Sequence, residues 1–437
     1  MQRTHMMWLI KTLWYSSKAL CRKPNLFLKA GEFVFVIVVL LFLANVFARN
    51  FDNYLICVCL KLIWIPLLLL FLVLRHGEII KRRRLNRFFR RIRLYGFDRK
   101  LPEYQYTVRL NQYIKKVRFK SRIHISQWEK KKHFMEMYFE RIILKMENQQ
   151  DDMRIMDIFF IEEKLPEYIL WNDNYLQNGR KFAIGEGYMG QVIWNASELP
   201  HGLVAGSTGT GKSALIRSII HQAIKKRFNV NVLDFKAAGD FEFIKREYGQ
   251  YYDLEDGYGP IVIHEPESAR ELLLGLICEV RLRLDEFRKA EVSNIDEYNS
   301  RGREQLLPWL IVIDEAAEIL DVKPKDKVEK ELYAEIDSSL RTLARISRAA
   351  GVSILMGVIR PSHDVLDGQI KNNLLWRVCG YFADPAASRI VLDNDRATEL
   401  PPEIKGRFII GLEDEVQAYY LPIPVVADEK TPFMPKL

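Results

Sequence analysis

The sequence predicts an α/β fold with a mainly parallel sheet around a phosphate-binding loop, preceded by an N-terminal transmembrane hairpin of two helices. Three observations predict it. Gly206-Ser207-Thr208-Gly209-Thr210-Gly211-Lys212-Ser213 fits GxxxxGK[ST] at every position, between the apolar run Leu203-Val204-Ala205 and an amphipathic helix opened by Ser213. Pro308 to Glu315 reads as a buried strand that ends in two carboxylates. Phe33 to Ala48 and Tyr54 to Leu74 are apolar runs separated only by Arg49-Asn50-Phe51-Asp52-Asn53.

Taken from the N-terminus, the expected organisation is a cytoplasmic segment over 1–30, two membrane helices over 31–75, a basic juxtamembrane and connecting region over 76–165, and the nucleotide-binding region over 166–437. The first apolar run is short for a span of about 20 residues, so it draws on Leu26 to Glu32. Lys61 lies inside the second run, where a lysine near the bilayer centre costs about 2.5–3.5 kcal/mol. It either snorkels outward, or pairs with Asn45 across the hairpin, or marks a span that starts at Leu62. Basic residues flank the hairpin on both sides, from Arg3 to Lys29 before it and from Arg75 to Arg93 after it, which puts both termini in the cytoplasm and makes the chain a two-span protein of the cell membrane. A cleavable signal peptide is not expected, because the first apolar run begins late and no small-residue cleavage site follows it. The five cysteines have no metal-type spacing and suit a reducing compartment.

Charge is divided unevenly. Residues 1–169 carry 32 Lys and Arg against 15 Asp and Glu, whereas residues 170–437 carry 33 against 41. The run from Lys81 to Arg93 reads as a positive-inside anchor on anionic lipid, with direct nucleic-acid contact as the alternative. A broad cationic face on the nucleotide-binding region is excluded, so any grip on nucleic acid there has to be local.

Gly96 to about Asn148 has helical stretches such as Trp128 to Met146, no catalytic pattern, and the look of a connecting or oligomerising region. Residues 150–200 alternate in short segments with turn signals, including Gly185-Glu186-Gly187 and Gly190, and predict β-structure. After the phosphate loop the expected order is a helix to about Arg227, strand Val230 to Leu233, helix Phe241 to Tyr248, and strand Ile261 to His264. Leu273, Ile277, Val280, Leu284 and Phe287 then give one apolar helical face, read as core packing. A helix from Glu331 to Ala350 and a strand from Val352 to Val358 complete the pattern.

The chemistry follows from residue types at these positions. Glycines at 206, 209 and 211 let the backbone wrap a phosphate, with N–H groups and the helix N-terminus aimed at the anion, so the loop is an ATP or GTP site. Lys212 can reach the β/γ oxygens, and the Ser213 hydroxyl can coordinate Mg2+. Asp314 fits the Walker B aspartate that holds Mg2+ through water, and Glu315 can orient the attacking water. In a parallel sheet both motifs reach one crevice at the carboxyl ends of the strands. Asp234 and Lys236 follow a strand and either contact nucleotide or a neighbouring subunit, or are solvated loop residues. Arg345 and Arg348 are either surface ion-pairing residues or an arginine finger for an adjacent subunit.

Pro200 to Gly206 with its loop, Leu310 to Glu315, Leu343 to Gly351, Arg360 to Val365 with Gly368 to Asn373, and Ser388 to Asp393 together resemble the FtsK/SpoIIIE motor family over roughly residues 180–425. That resemblance implies a RecA-like P-loop NTPase motor, a homo-hexameric ring, and ATP-driven movement of DNA through the pore. It also implies a trans-acting arginine, carried onto Arg348 with Arg345 as second choice. One departure concerns coupling: the family usually has Thr-Gln before the Arg-Pro, and this chain has Val358-Ile359. A compact two-helix anchor on a single motor looks most like the coupling proteins of integrative and conjugative elements, which bring relaxase-bound DNA to a membrane secretion channel. A chromosome-partitioning translocase, the ATPase of a protein secretion system and a non-hydrolysing docking platform are the alternatives.

Overall fold

The computed structural model describes residues 80–236, 241, 244, 248, 260–302, 305–362, 365–366, 368–411 and 414–422. The apolar runs from Phe33 to Leu74, and with them the expected hairpin, lie outside the described residues. Among the described residues no helix is long and apolar enough to cross a membrane. The chain divides into two compact units, one ending at Lys164 and the other beginning at Leu165.

In the N-terminal unit, helix α1 spans residues 80–91. Leu85, Phe88 and Phe89 recur at helical spacing and are buried, while Lys81, Arg84, Arg87 and Arg90 are exposed. The basic run is therefore one face of an amphipathic helix whose other face enters a core. Strands β1 (Glu103–Arg109) and β2 (Ile114–Lys120), helices α2 (Ile125–Glu129) and α3 (Lys132–Phe139), and strands β3 (Ile143–Asn148) and β4 (Ile155–Ile161) follow. The strands form an antiparallel sheet in the order β1-β2-β4-β3. Val117, Phe119, Ile158 and Phe160 alternate onto the face that packs Phe89, Trp128 and Met135. Phe119 lies 5.4 Å edge-on to Phe89 and 5.6 Å from Trp128.

This overturns the reading of Trp128 to Met146 as a helix, and it shows that Gly96 to Asn148, expected as a connecting or oligomerising region, is part of a folded unit with its own core. α3 stops at Glu140, which takes a left-handed φ of 52°, and the chain then enters β3 to pair with β4. A strand position beside β4 satisfies the backbone and buries Ile143, which local helical propensity alone does not weigh.

The C-terminal unit contains β5 (Ile169–Leu170), β6 (Lys181–Gly187), β7 (Gly190–Asn195), β8 (His201–Ala205), α4 (Lys212–Lys225), β9 (Asn229–Leu233), β10 (Ile261–Ile263), α5 (Pro266–Lys289), α6 (Ile295–Ser300), β11 (Trp309–Ile313) and α7 (Ala317–Leu320). It continues with α8 (Lys327–Ile346), β12 (Val352–Val358), α9 (Gly368–Asn373), β13 (Trp376–Cys379), α10 (Pro385–Leu392), β14 (Arg407–Ile410) and β15 (Asp414–Tyr420). An 11-stranded sheet runs in the order β10-β9-β11-β12-β8-β13-β14-β15-β6-β7, with β5 paired to β15. From β10 to β13 every pairing is parallel. From β13 through β7 it is antiparallel, so the expected parallel sheet carries an antiparallel flank; of the β-structure predicted over residues 150–200, β6 and β7 lie in this flank, whereas β4 belongs to the sheet of the N-terminal unit.

Helices cover both faces, which explains why β8 and β12 are buried throughout and β11 in all but its first residue. Leu203, Ile311, Ile313 and Ile354 point to α5 and α8, where Leu273, Val280, Ile336 and Leu340 meet them. Val204, Leu310, Val312 and Leu355 point to α4, against Leu215, Ile219 and Ile220. α8 begins on Asp326, whose side chain accepts the Glu329 N–H, and ends at Ile346, four residues before the expected end. Ser347 turns the chain by donating its hydroxyl to the Val352 carbonyl at 3.1 Å, and Gly351 takes a φ of 81°. The expected helix from Phe241 to Tyr248 lies mostly outside the described residues, although Ile244 and Tyr248 are helical. Among the described residues the free cysteines are Cys278, exposed, and Cys379, buried.

Candidate nucleotide-binding site

The loop from Gly206 to Gly211 leaves the carboxyl end of β8 and delivers Lys212 as the first residue of α4. Its base is tied to the sheet: the Gly206 N–H donates to Val358 O at 3.1 Å and the Ser207 N–H to Tyr381 O at 3.2 Å. The Thr210 hydroxyl donates back to Ser207 O at 2.8 Å, which closes the turn. Thr208 and Gly209 form the exposed tip, Thr210 and Lys212 are buried, and Ser213 is half-buried in the first helical turn. Gly209 and Gly211 have φ of 88° and 100°, a hand that other residues adopt only with strain. At Gly211 a Cβ would also stand 2.8 Å from the backbone nitrogen of Gly406.

Both acidic residues of the second motif arrive at the same place. Lys212 Nζ donates to Asp314 Oδ1 at 3.0 Å and to the Asp314 carbonyl oxygen, and both residues are buried. The Glu315 carboxylate accepts the Ile359 N–H, at 3.2 Å and 3.0 Å to its two oxygens, and Lys236 Nζ stands 3.5 Å from Oε2. Lys236 is thus drawn into the site, whereas Asp234 is neither solvated nor on the loop surface. It is 2% exposed, its N–H donates to Ile263 O at 2.9 Å, and its carbonyl meets His264 Nδ1 at 2.7 Å.

Three contributors escaped the motif reading. Gly357 sits in β12 where a Cβ would fall 2.1 Å from the Asp314 carbonyl oxygen and 2.9 Å from Lys212 Nζ. A glycine within an otherwise apolar strand is the sequence signal for such a close approach. Gly406 donates its N–H to Thr210 O at 2.8 Å and so brings the turn before β14 against the loop. The third is the Ile359 main-chain amide, which no side-chain pattern reveals.

Arg345 and Arg348 are not brought to this site. Arg345 lies in the last turn of α8 and Arg348 in the turn after it, rather than on the helix as expected; both are exposed and without an ion pair among the described residues. They precede the amino end of β12, whereas the loop follows the carboxyl end of its parallel neighbour β8. They therefore stand at the opposite end of the parallel strands from the loop of their own chain.

A family model described as the FtsK/SpoIIIE family matches residues 171–363, from the strand region before the loop to the Arg-Pro segment after β12. The solved structure of the pCW3 conjugation coupling protein TcpA, in its monomer form with ATPγS, is 33% identical with a TM-score of 0.56, covering 78% of this chain and 95% of that one. The chain belongs to the FtsK/SpoIIIE family. DNA translocase FtsK of Clostridium tetani is 31% identical over 285 residues, and that of Treponema pallidum is 32% identical over 220. The alignments take 58% and 48% of this chain but only 36% and 25% of those longer relatives. The family assignment rests on the stretch that contains the loop, Asp314 and Glu315.

Proposed function

We propose that this FtsK/SpoIIIE-family chain is a membrane-anchored, ATP-driven DNA translocase that serves as a conjugative coupling protein. The observation that carries the reading is the convergence of Lys212, Asp314 and Glu315 in a chain that matches the TcpA structure over 95% of that chain's length. The site fits ATP with Mg2+. Left-handed Gly209 and Gly211 give the backbone an anion-binding concavity at the N-terminus of α4. Lys212, now on Asp314, would reach the β/γ oxygens of bound ATP, and the Ser213 hydroxyl with the Asp314 carboxylate, the latter through water, would hold Mg2+, whose charge would neutralise that of the phosphates. Glu315 stays fixed at the strand end by the Ile359 N–H and orients water, doing so without the polar sensor side chain usual in the family.

Arg348, with Arg345 as second choice, serves the site of an adjacent subunit in a homo-hexamer, in keeping with its position at the opposite end of the strands from its own loop. The partners in this reading are DNA, a relaxase-DNA complex, secretion-channel proteins, and the lipid membrane that holds the two N-terminal spans with both termini cytoplasmic. The identity to the FtsK translocases favours a second reading, duplex movement during chromosome partitioning.

The test is the ATPase rate of the full chain in detergent, with and without single- and double-stranded DNA, against Lys212→Ala as the blank. Several-fold stimulation by DNA that vanishes in the variant supports a DNA motor; a DNA-insensitive rate overturns it. Loss of plasmid transfer in donor cells carrying Glu315→Gln, with division unaffected, separates the coupling role from partitioning.

A further inference from the structure

The N-terminal unit contains a cleft of about 470 Å³ between α1, the β1–β2 side of the sheet and the end of α3. Lys81, Arg84, Lys115 and Arg141 line it against a single carboxylate, Glu162. Glu162 lies 3.4 Å from Lys115 and 3.3 Å from Arg141, so it holds two cations in place while leaving the cleft with a surplus of positive charge. Lys81 Nζ is fixed by a 2.7 Å hydrogen bond to the Tyr104 hydroxyl, and among the described residues Arg84 has no ion-pair partner. The floor is apolar, formed by Val117, Phe139 and Phe160. A basic rim over an apolar floor suits an amphiphile with an anionic head.

We propose that this cleft binds the phosphate of an anionic phospholipid headgroup. The argument for lipid as the source of that phosphate is position in the chain: the apolar run ends at Leu74 and the cleft begins at Ile80. Six residues reach at most about 20 Å, so a cleft at that distance from a spanning segment stays within the headgroup layer or beside it. The inference rests on the membrane reading of residues 31–75, and it goes further by replacing a diffuse basic surface with one discrete site.

The experiment titrates the full chain in detergent with dihexanoyl phosphatidylglycerol or dihexanoyl phosphatidylcholine, and extracts membranes of expressing cells with alkaline carbonate. Phosphatidylglycerol is expected to bind more tightly than phosphatidylcholine by about tenfold or more, and R84E/K115E to abolish that preference. R87E/R90E, with equal charge reversal on the same helix but outside the cleft, is expected to keep it. Equal loss from both pairs would overturn the site in favour of diffuse attraction. The neutral pair R84Q/K115Q, matched to the wild type in unfolding midpoint, is expected to show a smaller loss; an unchanged affinity would also overturn the proposal. Displacement of the lipid by equimolar inorganic phosphate would make the occupant free phosphate. A loss of duplex-DNA affinity in R84E/K115E with lipid binding intact would make it nucleic acid, and either result sinks the lipid. Release by carbonate would overturn the membrane reading whatever the titration gives, whereas retention without headgroup preference would overturn the cleft alone.

Discussion

Asp157 in the N-terminal unit and Asp314 in the C-terminal unit are both buried carboxylates carried by interior strands of a sheet, one within its strand and one just beyond it, and both are paired with basic side chains. Their surroundings differ in kind. Asp157 lies mid-strand on β4 and receives Arg118 from β2 through two bonds of 2.6 Å, with Lys116 at 3.3 Å. Those bonds raise the Arg118 guanidinium above its ordinary range, chiefly through its hydrogen bonds to the Asp157 carboxylate. Asp314 instead lies just past the end of a parallel strand, and its partner Lys212 opens a helix whose N-terminus is itself built for an anion. A cross-strand clamp with every acceptor occupied is structural, while a strand-end carboxylate whose partner has an alternative anion can exchange. Burial and ion pairing alone do not tell the two apart.

The largest expected effect breaks the exchangeable side of that contrast. Glu315→Gln should keep nucleotide binding and lower turnover by about 10²–10³-fold, measured as steady-state ATPase beside a direct ATP-binding titration. Gly357→Ala should lower unfolding free energy by about 3 kcal/mol, because the new methyl meets the Asp314 carbonyl and Lys212; nucleotide affinity should fall with it. An unaltered affinity would mean that the approach of β12 to Lys212 does not shape the site.

Acid sharpens the comparison next. His201 on β8 is buried and its Nδ1 accepts the Ile354 N–H at 3.1 Å; burial pushes its pKa down from 6.5 to about 4. The unfolded chain takes up a proton below pH 6.5 that the folded unit refuses until about 4. Stability is therefore present in full above pH 6.5 and is lost as pH falls toward 4, by about 3 kcal/mol in all. Urea midpoints of the wild type at pH 7.5 and 4.5 should differ more than those of His201→Gln; equal pH slopes would refute the assignment.

Asp157→Ala should destabilise the N-terminal unit by about 2 kcal/mol by stranding Arg118, and leave ATP affinity unchanged. Calorimetry of the full chain would register the first, and a shift in ATP affinity would contradict the structural role. The smallest effect is expected at Ile359→Ala, with turnover within about threefold of wild type, because the donor that holds Glu315 is main chain. A larger loss would give the isoleucine side chain a part in positioning.

The nucleotide site was legible because its chemistry needs fixed residue types at fixed spacing: Gly209, Gly211, Lys212 and Ser213 on one turn, and Asp314 and Glu315 at the end of an unmistakably buried strand. The four-stranded sheet of the N-terminal unit was not. Its strands alternate charged and apolar residues, Lys116 and Arg118 against Val117 and Phe119, a period-two signal only a few residues long that the charged composition of the region outweighs until β4 supplies partners. Lys236 and Asp234 were singled out correctly as strand-end residues, yet only packing separates the one that meets Glu315 from the one buried beside β10.

From sequence alone came the phosphate loop, the paired carboxylates, the apolar strands of an α/β sheet and the family they resemble. Each is encoded over a few consecutive residues, by backbone hand, by side-chain chemistry or by hydrophobic period. Tertiary structure decided that Gly357 and Gly406 close on the loop, that the Ile359 amide holds Glu315, and that Arg345 and Arg348 lie at the opposite end of the strands from their own loop. Those facts depend on which strands become neighbours. Strand order is fixed by burying both faces of the sheet at once, a property of the whole packed unit that no local stretch of residues contains.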